Sequence, residues 1–264
     1  MRAQMPKKLW RNLPEAEAIP EMVAQASTRT QRMIRTSPSK PNPRVKHWAP
    51  EAAEASISGD ETLESVAEEA AECTRCPLYK NATQTVFGEG PEDAEVVFVG
   101  EQPGDQEDLA GRPFVGPAGQ LFDRALADAG IDRSLVYVTN AVKHFKFEPR
   151  GKRRIHKTPT TGEIDICRWW LDKELSLLKP KLVVALGGTA ARSVTGRAVT
   201  ISRERGRLIK VRPELEGLIT VHPSYMLRIP DEQSKAQEYS RFVEDLKLVV
   251  KMIPSLRKAS ANLA

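Results

Sequence analysis

No apolar run in this chain approaches the roughly 18 residues that a membrane-crossing helix needs, so no membrane span is expected. Cysteine is scarce, with three in 264 residues, an odd set that cannot build a disulfide framework. The start lacks the charged head and apolar centre of a secretory signal. A cytoplasmic location is therefore expected, where thiols stay reduced. Charge of one sign is not in large excess either. Lys and Arg number 40 against 35 Asp and Glu, a net charge of +5. That balance permits a polyanionic partner without demanding one.

What is present divides at about residue 50. Residues 1–50 carry Pro6, Pro14, Pro20, Pro38, Pro41, Pro43 and Pro50 among frequent basic residues. They read as an extension, with one helix over 16–33 and an extended linker over 37–50, because each residue before Pro is pushed away from helix. The extension is either a poorly ordered tail or the end of a second, fused domain. An acidic helix is expected over 52–71. Residues 51–264 then form one α/β domain, about the size that a single core supports.

Four apolar, β-branched runs mark buried strands. They are Val96-Val97-Phe98-Val99, Val136-Tyr137-Val138-Thr139, Leu182-Val183-Val184-Ala185-Leu186 and Leu218-Ile219-Thr220-Val221. Helical periodicity separates them, with apolar stripes through Leu121, Phe122, Ala125 and Leu126, through Ile164, Trp170, Leu171 and Leu175, and through Phe242, Leu246 and Val249. Alternating strands and helices predict a three-layer α/β/α sandwich with a central, mostly parallel four-stranded sheet. A fifth short strand near 208–211 is weaker.

Ligands bind outside the carboxyl ends of parallel strands. At those ends this chain places Glu101 and Gln102, Asn140, Gly187-Gly188-Thr189, and His222-Pro223-Ser224. Phe114 lies in the Gly/Pro loop from Gly111 to Gly119; alone it reads as core filler, although such a ring is also a platform for a base. After Asn140, Lys143, Lys146, Arg150, Lys152, Arg153, Arg154 and Lys157 crowd one stretch, interleaved with Phe145, Phe147 and His156. Clustered cations at a ligand-binding edge suit phosphate contacts.

Cys73 and Cys76 are spaced C-x2-C, as for a shared metal or cluster. Cys167 lies on a helix far downstream and His144 follows the second strand. Together they would make a Cys3His set for zinc or an iron–sulfur cluster, and spacing does not choose between the two. Read otherwise, Cys167 is a small apolar filler.

From Cys73 to 253 the chain resembles the uracil-DNA glycosylase superfamily, in its iron–sulfur, family four-like branch. The pieces are Cys73-x2-Cys76, Gly100-Glu101-Gln102-Pro103-Gly104-Asp105-Gln106-Glu107-Asp108, Gly111 to Gly119, Thr139-Asn140, Lys152-Arg153-Arg154-Ile155-His156, Cys167 and His222-Pro223-Ser224. The Lys-Arg-Arg-Ile-His stretch resembles the UdgX subgroup, which becomes covalently attached to uracil-containing DNA. The resemblance implies a 4Fe–4S cluster on Cys73, Cys76, Cys167 and, where ordinary members have cysteine, His144. It implies that Gln102, Phe114 and Asn140 hold uracil, that Glu101 and His222 assist cleavage of the N-glycosidic bond, and that His156 attacks C1′ in place of water. Lys152, Arg153, Arg154, Lys157 and Ser224 are expected against DNA. Single strands are expected to be accepted by a monomer. Three functions stay open: a single-turnover covalent trap, a multiple-turnover glycosylase releasing uracil, and an iron–sulfur nucleic-acid-binding module that cuts nothing.

Overall fold

A computed structural model describes residues 61–257. The expected helix over 16–33, the linker over 37–50 and the boundary near residue 50 lie outside these residues. Within them, the acidic helix is shorter than the sequence suggests. Thr62 accepts from the Ser65 N–H and starts α1 at Leu63, so α1 spans Leu63–Ala71.

The sheet is built from β1 (Val96–Gly100), β2 (Tyr137–Asn140), β5 (Leu182–Leu186), β6 (Leu208–Arg212) and β7 (Leu215–Thr220). Its order is β2-β1-β5-β7-β6. β2, β1, β5 and β7 run parallel, and β6 closes the edge antiparallel to β7. The sheet therefore has five strands rather than four. The fifth was faint in sequence because Leu208, Lys210 and Arg212 mix charge with an exposed leucine.

Helices cover both faces, which is why the four parallel strands are continuous apolar runs. α3 (Pro117–Ala129) and α8 (Glu232–Met252) pack on the face carrying Val96, Phe98, Val138, Val184 and Leu218. α4 (Thr161–Leu178) and α5 (Gly188–Thr195) pack on the opposite face, against Val97, Val99, Val183, Ala185 and Ile219. The odd–even split along β1 is the period-2 pleat. Each such fully buried Val, Leu or Phe is worth about 1.5–3 kcal/mol relative to exposure. α4 starts in a reciprocal cap between Thr160 and Glu163, a device worth about 1 kcal/mol. Short helices α2 (Asp105–Ala110), α6 (Ile201–Glu204) and α7 (Pro223–Leu227) fill the strand-end loops.

The basic stretch after β2 is a separate antiparallel hairpin, β3 (Phe147–Arg150) and β4 (Arg153–His156). Its two-residue turn opens at Gly151 with φ of 61°, a conformation glycine adopts without a side-chain penalty. A third buried cluster lies apart from the sheet faces. It joins Val66 and Ala70 of α1 to Val142, Ile164, Trp170 and all three cysteines. Among the described residues, no helix is long and apolar enough to cross a membrane.

Candidate active site

The parallel strands end in one cleft of about 1040 Å³. Glu101, Gln102, Phe114, Asn140, His156, His222 and Ser224 line it together. Seven sequence-predicted residues thus meet, from the ends of β1, β2 and β7, the loop before α3, and β4.

One corner of the cleft is shaped by two close approaches. A Cβ on Gly100 would stand 2.3 Å from Asn140 Oδ1 and 2.8 Å from Phe114 Cζ. A Cβ on Gly119 would stand 1.7 Å from the Phe114 carbonyl oxygen. Only glycine at these positions lets the ring and the amide come together. Phe114 itself has φ of 59°, a left-handed conformation that costs a non-glycine residue about 1–3 kcal/mol and that clusters at binding sites. Phe114 is both packed into the core and part of the cleft lining. Its ring packs on Phe122, with centroids 5.2 Å apart, and it lines the cleft near His222, whose ring centroid is 6.4 Å away.

His222 stands at the N-terminus of α7. Its Nδ1 accepts from the Ser224 main-chain N–H at 3.1 Å and lies 2.8 Å from Ser224 Oγ. Accepting at Nδ1 leaves the ring proton on Nε2, which is then a donor. Burial drives the pKa of His222 down from 6.5 to about 4, against the opposing pull of Glu101, so the ring is a neutral donor at pH 7. Ser224, expected against DNA, is turned toward this imidazole, and Arg228 donates to its hydroxyl.

Glu101 is half-buried. Burial pushes its carboxyl up, but the contacts with His156 and Thr189 and the nearby imidazoles outweigh this, leaving it below the usual range and ionised. His156 Nε2 stands 3.3 Å from Glu101 Oε1, and Thr189 Oγ1 donates to Oε2 at 2.9 Å. Thr189 was placed at a strand end by the sequence but given no role there.

The hairpin is tied down by Gln102. Its Nε2 donates to the Lys146 and Lys157 carbonyls, and its Oε1 accepts from the Lys146 N–H. Gln102 was expected to contact uracil; it lines the cleft, but its amide is engaged by the hairpin. Arg154 was expected on phosphate. It instead pairs with Asp105 and Asp108 and lies over the rings of Phe145 and Phe147. Lys157 pairs with Glu148 across the hairpin, Lys146 pairs with Glu163, and Lys143 is fully buried against Glu174. Of the predicted cationic stretch, Arg150, Lys152 and Arg153 are left exposed along the hairpin. Glu107, also missed, is buried and accepts from the Gly104 and Gly116 N–H groups, bracing the loops on both sides of α2.

The three thiols lie in the third buried cluster. Trp170 Nε1 donates to Cys73 Sγ, and the Lys143 N–H donates to Cys167 Sγ, both at 3.2 Å. Burial raises the thiols of Cys76 and Cys167, the latter to about 12. His144 is buried. Its Nε2 lies 2.9 Å from Thr85 Oγ1, but Nδ1 has no hydrogen-bond partner. Among the described residues, no three His, Cys, Asp or Glu side chains close around a single metal ion. The donor chemistry nevertheless suits a cluster. Buried thiols already receiving N–H donors, and an orphaned imidazole nitrogen, are what iron–sulfur ligation uses. Each ligand of a 4Fe–4S unit also binds its own iron, so the set spans more space than the shell of one ion.

A parallel sheet whose strand ends bring together a flat ring, an amide, a neutral imidazole donor and an ionised carboxylate has the make-up of an α/β enzyme site. Residues 87–247 match the family model of the uracil DNA glycosylase superfamily. The chain is 41% identical over 189 residues to the Type-4 uracil-DNA glycosylase of Thermotoga maritima, covering 71% of this chain and 92% of that protein. It is 36% identical over 203 residues to the Type-4 uracil-DNA glycosylase of Archaeoglobus fulgidus, covering 74% and 98%. A Type-4 uracil-DNA glycosylase of Pyrobaculum aerophilum is 37% identical over 173 residues, covering 63% and 85%. The chain belongs to the uracil DNA glycosylase superfamily.

Proposed function

We propose that this protein flips uracil out of DNA, breaks the bond between C1′ and N1, and becomes attached to C1′ through His156. Extrusion is required because C1′ and the base edge are inaccessible within the stack. Phe114 floors the extruded ring. The Asn140 amide donates to O4 and accepts from N3–H, which cytosine cannot satisfy. As the C1′–N1 bond breaks, its electron pair leaves with the base. The His222 Nε2–H stabilises the charge that grows on O2, and ionised Glu101 stabilises the positive sugar. His156 first releases to water the Nε2 proton that it shares with Glu101, keeping the one on Nδ1, and the freed Nε2 lone pair forms the new bond to C1′. The ring becomes a cation beside Glu101, and the uracil anion takes a proton from water. The observation that carries this reading is the 3.3 Å approach of His156 Nε2 to Glu101 Oε1 at the mouth of the cleft. This is the UdgX reaction.

Cys73, Cys76, Cys167 and His144 would hold a 4Fe–4S cluster. When bound, it supplies a cross-link between the segment after α1, the end of β2 and α4, and takes no part in bond cleavage.

A second reading is turnover, with water attacking C1′ and uracil released. It is favoured by the Type-4 names of the relatives, and by the exposure of half of the His156 side chain. One gel separates the readings. A uracil-containing oligonucleotide is incubated with protein and boiled in detergent. The wild type is expected to shift the band, and His156→Ser is expected to lose the shift while releasing uracil and leaving alkali-labile DNA. A boiled-stable complex with His156→Ser would assign the bond to another residue. An unshifted, alkali-labile product from the wild type would establish turnover.

A further inference from the structure

We propose that Lys143 is a positioning residue for uracil recognition. It holds the main chain of Asn140 from the dry side of the sheet and so sets the direction of the reading amide. This rests on the reading of Asn140 given above.

In sequence Lys143 opens the cationic stretch, yet neither its side chain nor that of Glu174 has any exposure. An ammonium has three protons to donate. All three find acceptors here: Thr139 Oγ1 at 2.6 Å, the Asn140 carbonyl at 3.0 Å and Glu174 Oε2 at 2.6 Å. Glu174 Oε1 in turn accepts from Tyr137 Oη at 3.1 Å, Thr139 Oγ1 at 2.9 Å and the Gly88 N–H at 3.1 Å. The ion pair thus contacts three of the four residues of β2.

A buried ion pair is a poor source of stability, since apolar residues of similar volume often serve as well. A fully satisfied buried network instead specifies one arrangement. Here it is specified at the strand end that carries the proposed reading amide. Asn140 is the last residue of β2, in register with Gly100. The Ala141 N–H still bonds the Gly100 carbonyl, but the Asn140 carbonyl turns down to Lys143. The peptide plane that aims Asn140 is therefore clamped by the lysine. Misplacing a recognition group by a fraction of an ångström is costly in a preorganised site. Lys143 lies under the sheet and acts on the base only through Asn140.

Lys143→Met alone would strand the Glu174 carboxylate, so the informative variant is Lys143→Met with Glu174→Gln. Glutamine keeps an acceptor for Tyr137, Thr139 and Gly88. Three quantities are measured in this variant, with and without Asn140→Ala: the single-turnover rate of uracil excision, the affinity for DNA carrying an abasic site, and the melting temperature. The excision rate at saturating protein is expected to fall about tenfold or more, with abasic-site affinity held within about twofold. In the Asn140→Ala background the lysine change is expected to add nothing further. An equal further loss in that background would overturn the proposal, as would a parallel fall in abasic-site affinity, or unchanged excision by the folded variant. Asn140→Ala excising uracil at the wild-type rate would overturn the reading of Asn140 itself, and the role of Lys143 with it. If the double variant does not fold, Thr139→Val removes one acceptor of Lys143 without exposing a charge, and the same split between excision and abasic-site affinity is expected from it.

Discussion

The two walls of the cleft are built by different means. The side proposed to hold the base is made by the core: Gly100, Phe114, Asn140 and His222 sit at or beside strand ends whose residues are buried on both faces. The sugar side is made by an appendage. His156 rides on a two-stranded hairpin that holds its place through the Gln102 amide, the Arg154 pairs with Asp105 and Asp108, and ring contacts with Phe145. A wall inherited from the core cannot change without cost to the fold. A wall hung on side chains can. On the proposed reading of the site, recognition of the base is therefore fixed in this architecture, while the fate of the sugar is adjustable at a few exposed residues.

That contrast can be broken from either side, and the largest effects belong to the base wall. Asn140→Ala is expected to cut uracil excision at least about tenfold while leaving non-specific DNA binding intact, because phosphate contacts dominate the latter; excision assays beside gel shifts on uracil-free DNA measure the two. Equal loss of both would make Asn140 a scaffold residue. Gly100→Ala is expected to be nearly as damaging, since the new methyl would occupy the space of Asn140 Oδ1 and Phe114 Cζ; circular dichroism should show the protein folded and excision assays should show it slow. On the sugar wall, Arg154→Ala should loosen the hairpin. The expected result is a several-fold slower attachment with uracil release less affected, read as the ratio of adduct to free uracil.

The cysteine cluster gives a result of another kind. Purified protein is expected to be brown, with broad absorbance near 400 nm and about four irons per chain, and His144→Cys should keep the colour, since thiolate is the commoner ligand. A colourless protein holding one zinc would refute the cluster.

The smallest effect concerns pH. The folded pKa of His222, about 4, lies below its ordinary 6.5, and the unfolded chain therefore binds the proton first. The contribution of this group to stability is complete above pH 6.5 and is lost as pH falls from 6.5 toward 4, by at most about 1.4 kcal/mol per unit. Urea midpoints of the wild type and His222→Gln should converge over that window. Parallel curves would mean that the ring is not held neutral by burial.

The same contrast governs what could be read from sequence. Strands of the core announce themselves, because Val96 to Val99 or Leu182 to Leu186 must be apolar on both faces. Their ends then locate Glu101, Asn140 and His222. The hairpin left no such trace. Phe147-Glu148-Pro149-Arg150 and Arg153-Arg154-Ile155-His156 have no buried face, so they looked like a basic loop. Nor could sequence separate cations that face outward from those that face inward. Arg153 is exposed while its neighbour Arg154 pairs with Asp105 and Asp108, and Lys143, in the same stretch, is buried against Glu174; these carboxylates lie elsewhere in the chain. Long-range pairing decides such cases, and composition does not record it.

The parallel order β2-β1-β5-β7 carries a consequence for how the protein comes into being. β1 pairs first with a strand 40 residues later along the chain and then with one more than 80 residues later, as Val97 meets both Tyr137 and Val183. Such distant pairings are slow to assemble. His222 follows β7, so a ribosome must deliver nearly the whole domain before the imidazole can join the carboxylate and the amide. A nascent chain that already displays the Glu101 loop and the His156 hairpin is still without the group that takes up charge on the departing base. On the proposed reaction, which would tie the protein irreversibly to DNA, the chain is thereby kept inert until its synthesis is almost complete, and ribosome-bound chains ending before Leu215 should leave uracil-DNA untouched.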